Sequence, residues 1–229
     1  MKDLVFSLSL KIIEYSFFPD KLKLPFGYAI SERLGKLEPE LTYIDFICHD
    51  YEGTAIDIGA NRGIWSYKLS HFFQNVIAYE INPHVSKSII AYNKANIEVQ
   101  NVGLSNREST MTLYTPVVNG NPLLGHASLE TQTFKFTDKI KKEVFPVKSL
   151  DSYGYIGIKF IKIDVEGHEL SVLEGAYTTI KKNQPIMVIE TEGDDIFNFL
   201  KKLKYKRVGL KDLCDKEGSK QNQIFIPFK

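Results

Sequence analysis

The stretch Thr54-Ala55-Ile56-Asp57-Ile58-Gly59-Ala60-Asn61-Arg62-Gly63 is an apolar run that ends in a glycine-bearing loop, and a second apolar run ends at Glu80, 17 residues after Gly63. A strand that turns sharply into a helix while letting a ligand touch its backbone needs positions without a Cβ. An acid at the end of the next strand suits a ribose diol, because a carboxylate accepts hydrogen bonds from both hydroxyls. The spacing then selects among nucleoside ligands. A dinucleotide fold presents G-x-G-x-x-G and brings a pyrophosphate onto a helix N-terminus. Here only Gly59 and Gly63 are offered, preceded by the carboxylate of Asp57, which repels a pyrophosphate. The same carboxylate favours a ligand bearing an ammonium and a sulfonium, as S-adenosyl-L-methionine does, with the helix amides left to receive its carboxylate.

At 229 residues, 43% hydrophobic and 25% charged, the chain has the size of one globular α/β domain with a modest extension. The expected division is an N-terminal helical extension over 1–50 packed on a core domain over 51–229. Net charge is +1 with both signs intermixed, so no electrostatic track for nucleic acid is expected. Cys48 and Cys214 form neither a CxxC pair nor a zinc pattern, which fits a reducing, cytoplasmic compartment. The apolar segment Leu4 to Phe18 contains Lys11 and Glu14, and it is too short and too charged for a transmembrane span. It reads as an amphipathic helix packed on the domain, with a homo-oligomer contact or a membrane-surface contact as alternatives.

Strands are expected over Thr54–Ile58, Val76–Glu80, Ile97–Val102, Phe160–Asp164, Ile186–Glu190, Lys206–Gly209 and Gln223–Pro227. Helices fit Leu41–His49, Gly63–Phe73, Pro83–Ala95, Glu169–Lys182 and Asp195–Leu203, after a turn at Pro25-Phe26-Gly27 and a polar stretch to Glu40. That alternation is the rhythm of a doubly wound, mostly parallel, Rossmann-like sheet of seven strands. Thr110–Thr115 and Val144–Val147 read as short extra strands bracketing a long loop from Pro116 to Glu143, near the carboxyl edge where open α/β sheets bind ligands.

Three separated motifs agree with one another: Asp57 to Gly63; Asn101-Val102-Gly103-Leu104-Ser105; and Lys162-Ile163-Asp164-Val165-Glu166-Gly167-His168-Glu169-Leu170, continuing to Leu173-Glu174-Gly175-Ala176. Together they resemble the FkbM-type methyltransferases over roughly Gly53 to Tyr205. The resemblance implies a class I methyltransferase fold and S-adenosylmethionine-dependent transfer of a methyl group to oxygen, often on sugars or hydroxylated natural products. It places Asp57, Gly59, Asn61 and Gly63 around the methionine end of the cofactor, Glu80 on the ribose, and Asn101, Gly103 and Leu104 near the adenine. Gly103 departs from the alanine common in the family. Ser105 is a hydrogen-bond candidate there, and Tyr79 and Ile81 read as packing neighbours.

A sugar or aliphatic hydroxyl is a poor nucleophile while protonated, so transfer needs a general base or a metal near the ends of the fourth and fifth strands. His168 is the preferred base because imidazole titrates near neutrality, with helix capping as its structural alternative. Asp164 is expected to orient His168, contact the donor ammonium or bind the acceptor hydroxyl. Asp164 and Glu190 also form a candidate oxygen pair for a divalent ion, magnesium or manganese. Glu166 and Glu169 fit as acids at a helix N-terminus. His126 is a weaker base candidate, and Trp65 reads as a buried indole.

The expected activity is O-methylation of a sugar or glycan hydroxyl. Alternatives are a hydroxylated natural product as acceptor, or a cofactor-binding partner protein without turnover. Amino-group methylation of nucleic-acid bases is disfavoured, since Asp164-Val165-Glu166-Gly167 stands where such enzymes carry Asp/Asn-Pro-Pro-aromatic. A nicotinamide oxidoreductase lacks its glycine pattern.

Overall fold

The computed structural model describes residues 19–123, 127–130, 137, 139–191 and 193–228. The helix expected over residues 4–18 and the candidate His126 lie outside the described residues. In chain order the elements are α1 (Asp20–Arg33), α2 (Pro39–Thr42), α3 (Ile44–Ile47), β1 (Thr54–Ile58), α4 (Ile64–Leu69), β2 (Asn75–Tyr79), α5 (Lys87–Tyr92), β3 (Ile97–Gln100), β4 (Gly103–Leu104), β5 (Ser109–Val118), β6 (Asn121–Pro122) and β7 (Lys139–Lys148). A 3₁₀ turn at Leu150–Tyr153 leads to β8 (Ile158–Ile163), α6 (Glu169–Gly175), α7 (Tyr177–Asn183), β9 (Ile186–Glu190), α8 (Asp194–Lys202), β10 (Tyr205–Val208), α9 (Leu210–Cys214) and β11 (Asn222–Pro227).

Seven strands form one sheet in the order β3-β2-β1-β8-β9-β11-β10. All pairs are parallel except those of β11, which runs antiparallel to both β9 and β10. Its central strands are apolar runs because helices cover both faces, as parallel sheets require. On one face Ile56, Ile58, Ile161, Ile163, Met187 and Ile189 pack with Val172, Leu173, Ile180, Ile196 and Leu200 of the helices. On the other, Ala55, Phe160, Val188 and Ile224 pack with Trp65, Leu69, Leu41, Ile44 and Leu210. The α1–α3 segment thus shares this second core, and Trp65 is the buried indole expected, with its ring stacked on Phe160.

Three helix expectations are corrected. Pro25 and Gly27 do not form a turn; both lie inside α1. A proline in a helix forfeits an N–H bond, but Leu24 and Tyr28 are buried and α1 lies against α4 and α5, so tertiary packing outweighs the local signal. The helix expected over 41–49 is divided at Tyr43, which ends α2 and begins α3. The helix expected over 169–182 is divided at Ala176.

The insertion is also more ordered than a long loop. β5 and β7 pair antiparallel from Ser109↔Val147 to Val117↔Lys139, and with β4 and β6 they make a second sheet of four strands. The bracketing strands therefore reach several residues further than their apolar alternation indicates, because the added length carries lysines and half-buried or exposed positions beyond the buried Leu113, Thr115 and Val147.

Charge enters the second core at one level. Asp57 on β1 stands beside Lys162 on β8 in register, and both are 1% exposed. The Asp57 carboxyl accepts the Ser66 hydroxyl at 2.5 Å, and the Lys162 ammonium donates to Asn222 Oδ1 at 2.8 Å. Burial pushes the Asp57 carboxyl up to about 7, against the opposing pull of the Ser66 bond and Lys162.

Two consequences are measurable. A Cβ on Gly175 would lie 2.0 Å from the Ser105 carbonyl oxygen and 3.0 Å from Asn106 Cα, both backbone. Gly175→Ala should therefore cost about 3 kcal/mol in urea unfolding. Asp57 holds its proton more tightly folded than unfolded, so its stabilising contribution is complete below about pH 4 and is lost as pH rises toward about 7. Thermal melts at pH 5 and pH 8 should show a smaller decline for Asp57→Asn than for the parent chain.

Candidate active site

The carboxyl ends of β1, β2 and β8 are drawn together by backbone. Asp164 N–H donates to the Ile58 carbonyl at 3.0 Å, while Gly59 and Ala60 N–H both donate to the Tyr79 carbonyl at 2.9 Å. Gly59 has φ +79°, and a Cβ there would lie 1.7 Å from the Asp164 carbonyl oxygen. Only glycine permits that approach. From this junction a cleft opens, walled by Gly59, Asn61, Glu80 and Ile81, by Val102, Gly103 and Leu104, and by Asp164, Val165 and Glu166. The insertion closes it with Ala127 and Leu129.

Glu80 is the cleft's fixed anion. One carboxylate oxygen accepts Asn61 N–H and the other accepts Asn82 N–H, each at 2.8 Å. Each oxygen keeps lone-pair capacity for a further donor. Burial pushes its pKa up, and the two backbone bonds pull the other way. Gly103 is tightly enclosed: a Cβ would lie 2.7 Å from Ile81 Cδ1 and 2.9 Å from Val147 Cγ1, so this chain has no space ready for the familiar alanine.

A second cavity shares Gly59, Asn61 and Asp164 with the cleft. Its walls come from the N-terminal segment through Ser31, Lys36, Glu38 and Leu41, and from Asp57, Arg62, Trp65 and Lys162. Asp164, 30% exposed, stands where the two spaces meet.

The remaining candidate residues are distributed as follows. Asp57 belongs to the second cavity rather than the cleft. Gly63, at φ +90°, caps α4 against Ile89, where a Cβ would lie 2.4 Å from Ile89 Cγ1, and it lines neither space. Asn101 is exposed, and its amide donates to the Glu80 carbonyl at 3.1 Å and to Ser86 Oγ at 2.7 Å. It braces the strand end that carries Glu80, and the cleft wall begins one residue later at Val102.

His168 occupies the N-cap position of α6, 5% exposed, and lines neither space. Its Nε2 meets Ser105 Oγ at 3.0 Å and its Nδ1 meets Glu130 Oε1 at 3.1 Å, so both ring nitrogens are engaged away from the cleft. Ser105 accordingly faces His168, not the adenine wall. Glu169 Oε1 accepts the N–H groups of Val165 and Gly167 at 3.2 and 3.0 Å, the helix-end role foreseen for it. Glu166, at φ +52°, lines the cleft and its carbonyl accepts Ser128 Oγ at 2.6 Å. Tyr153 and Tyr155 stack on each other, and Tyr155 is hydrogen-bonded to Tyr79, so these aromatics pack together.

Asp164 and Glu190 do come together, as a carboxyl pair. Burial and the adjacent Asp164 carboxylate push the Glu190 carboxyl up. Among the described residues no three His, Cys, Asp or Glu side chains are gathered as metal ligands. Lys162 opens the third motif but receives no role in the sequence reading, and it lines the second cavity. Its signal was a lysine within the apolar run Phe160–Ile163, flanked by residues that must be buried.

No match was found among curated proteins. Among solved structures, a methyltransferase FkbM from Methylobacillus flagellatus KT aligns at TM-score 0.50 with 13% identity, over 98% of this chain and 60% of that one. This chain thus spans about three fifths of that protein. A mutant form of MtNAS aligns at TM-score 0.51 with 12% identity, over 99% of this chain and 71% of that one. An rRNA methylase from Streptococcus thermophilus aligns at 0.49 with 12% identity, over 82% and 95%. The first two likenesses show the fold, a mostly parallel α/β sheet covered by helices on both faces. Residues 57–207, from the Asp57 loop through the β8 motif into β10, match the family described as Methyltransferase FkbM domain, and the chain belongs to that family.

Proposed function

We propose that this chain is an S-adenosylmethionine-dependent O-methyltransferase whose acceptor is a hydroxyl of a sugar or glycan, with a hydroxylated natural product as the second reading. The observation that carries it is the convergence of Gly59, Glu80 and Asp164 on one cleft. The cleft fits the donor: Gly59 lets the loops after β1 and β8 meet at its floor, and Glu80 presents acceptor capacity for ribose hydroxyls. Val102, Gly103 and Leu104 offer a flat, largely apolar wall for an adenine. When bound, S-adenosylmethionine supplies an electrophilic methyl group on a sulfonium.

The chain's own part is to position the acceptor, exclude water and receive its proton. Much of the rate in such a displacement comes from positioning. Asp164 is the group placed to take the hydroxyl proton, because it borders both spaces and is partly exposed. Glu190 lies beside it, its carboxyl pushed up by burial and by the Asp164 carboxylate. His168, with both nitrogens engaged, acts as a positioning residue: it ties Ser105, next to the Leu104 wall, to Glu130, next to Leu129 of the insertion. Sugars are favoured over other alcohols by family analogy, and a partly exposed carboxylate can accept a hydrogen bond from a sugar hydroxyl.

Titration with S-adenosylhomocysteine, followed by labelled-methyl transfer to a panel of sugars and glycans, tests this reading. Asp164→Asn should lower turnover by about 10²–10⁴-fold while cofactor affinity stays within about tenfold; unchanged turnover would refute its role as proton acceptor. Glu80→Gln should weaken S-adenosylhomocysteine binding by about tenfold or more, since it removes a charged acceptor shared by two donors. Transfer to phenolic natural products but to no sugar would move the acceptor to the second reading.

A further inference from the structure

The turn that leads from Asp164 into α6 is held in an unfavourable backbone shape from two directions. Glu166 has φ +52° and Gly167 has φ +98°. A residue with a Cβ enters the left-handed region at a cost, and it stays there only where its surroundings over-determine it. One set of restraints comes from α6, where Glu169 Oε1 accepts the N–H groups of Val165 and Gly167. The other comes from the insertion. Ser128 Oγ donates to the Glu166 carbonyl at 2.6 Å, and Glu130 Cγ lies 3.9 Å from where a Cβ on Gly167 would stand.

Ser128 is anchored independently of that turn. It is 1% exposed, and its N–H and carbonyl exchange hydrogen bonds with the Tyr114 carbonyl and N–H on β5 at 3.0 and 2.8 Å. Its Oγ also accepts the Glu130 N–H at 2.9 Å, so the hydroxyl serves as donor and acceptor at once. A buried hydroxyl thus joins the second sheet to the backbone just after Asp164. Its neighbours Ala127 and Leu129 wall the cleft, as does Glu166, whose carbonyl it holds. The segment 127–130 therefore touches both the space that suits the methyl donor and the turn that follows the proton acceptor. Without the Ser128 bond, the Glu166 backbone is freer to leave the left-handed region, and Asp164 shifts with it.

Resting on the methyltransferase reading above, we infer that Ser128 is a positioning residue for Asp164 and couples occupation of the donor cleft to the conformation of the turn after β8. A donor lying against Ala127 and Leu129 restrains the segment, and the Ser128 bond hands that restraint to Glu166 and so to Asp164. The carboxylate is then set for an acceptor once the methyl donor is in place.

The test is amide hydrogen exchange of the full chain with and without saturating S-adenosylhomocysteine, read over the glycine loop and over residues 165–169. In the parent chain the ligand should slow exchange in both regions. In Ser128→Ala the glycine loop should keep its protection, which reports a folded, ligand-binding variant, while the protection gained over 165–169 should fall about tenfold. Labelled-methyl transfer to the sugar and glycan panel reads the effect on Asp164: kcat should fall about tenfold in Ser128→Ala with the KM for S-adenosylmethionine within about twofold, and Ser128→Thr, which keeps the hydroxyl, should restore it. Equal protection over 165–169 in parent and Ser128→Ala, or an unchanged kcat, would overturn the inference alone. So would a parent chain in which the ligand protects the glycine loop but not 165–169, a result that decides the matter even if the variant does not fold. Protection of neither region in the parent chain would overturn the methyltransferase reading together with this inference.

Discussion

The approach of Gly59 to the Asp164 carbonyl is the constraint on which the site depends. With no room for a Cβ, the loop after β1 and the loop after β8 meet across the middle of the sheet, joined by the bond from Asp164 N–H to the Ile58 carbonyl. Parallel strands leave their carboxyl ends open on one edge, and a ligand site forms where neighbouring connections diverge. Here the divergence follows that junction, with α4 leading to one side and α6 to the other. The same contact sets Asp164 between the cleft and the second cavity. Any side chain at position 59 would separate the spaces that a donor and an acceptor must share.

The charged layer beneath the second cavity follows from strand alternation. Ile56 and Ile58 face one core, so Asp57 faces the other; Ile161 and Ile163 likewise send Lys162 to the side of Asp57. A buried carboxyl and a buried ammonium on adjacent strands are expensive relative to apolar residues of similar volume, even when their charges compensate. Their presence under a cavity, bounded by Trp65 and by Asn222 from the antiparallel strand β11, is more readily understood as a site than as a stability device. The N-terminal segment completes the layer, since Glu38 accepts both the Trp65 indole N–H and the Asn222 amide. Helices α1 to α3 are thus tied to the chemistry of the edge as well as to the core.

What could be read from the sequence were the features enforced locally. The Asp57–Gly63 loop, Glu80 and the Asp164 motif each combine an apolar strand with residues that a sharp turn demands, and the structure brings Gly59, Asn61, Glu80 and Asp164 onto one cleft. Side-chain direction was not legible. His168 follows Asp164 closely in sequence, but the intervening residues Glu166 and Gly167 both have positive φ, which redirects the chain and turns the imidazole under the insertion. Asn101 immediately precedes the cleft wall yet turns to the backbone, because Ser86 and the Glu80 carbonyl offer it partners. Helix α1 was obscured by Pro25 and Gly27, whose local cost is outweighed only by contacts with α4 and α5 that no local pattern reveals. Lys162 was visible as an anomaly, a charge in a buried strand, but its surroundings come from β1, α4 and β11.

The two halves of the proposed reaction therefore rest on different kinds of information. A donor common to many enzymes is held largely through backbone geometry and one acid, so its signature is short and contiguous. An acceptor is chosen by the walls facing Asp164, and these come from segments with no motif: Lys36 and Glu38 on one side, Ala127 and Leu129 on the other. His168 links the second of these walls to the core through Glu130, so a residue inside the recognisable motif acts on the unrecognisable part. On this reading the imidazole affects which acceptor is admitted and how well water is excluded, while Asp164 receives the proton. Acceptor choice can then change through Lys36, Glu38, Ala127 or Leu129 without disturbing Gly59, Glu80 or Asp164, because the two sets share a cavity edge but no local turn.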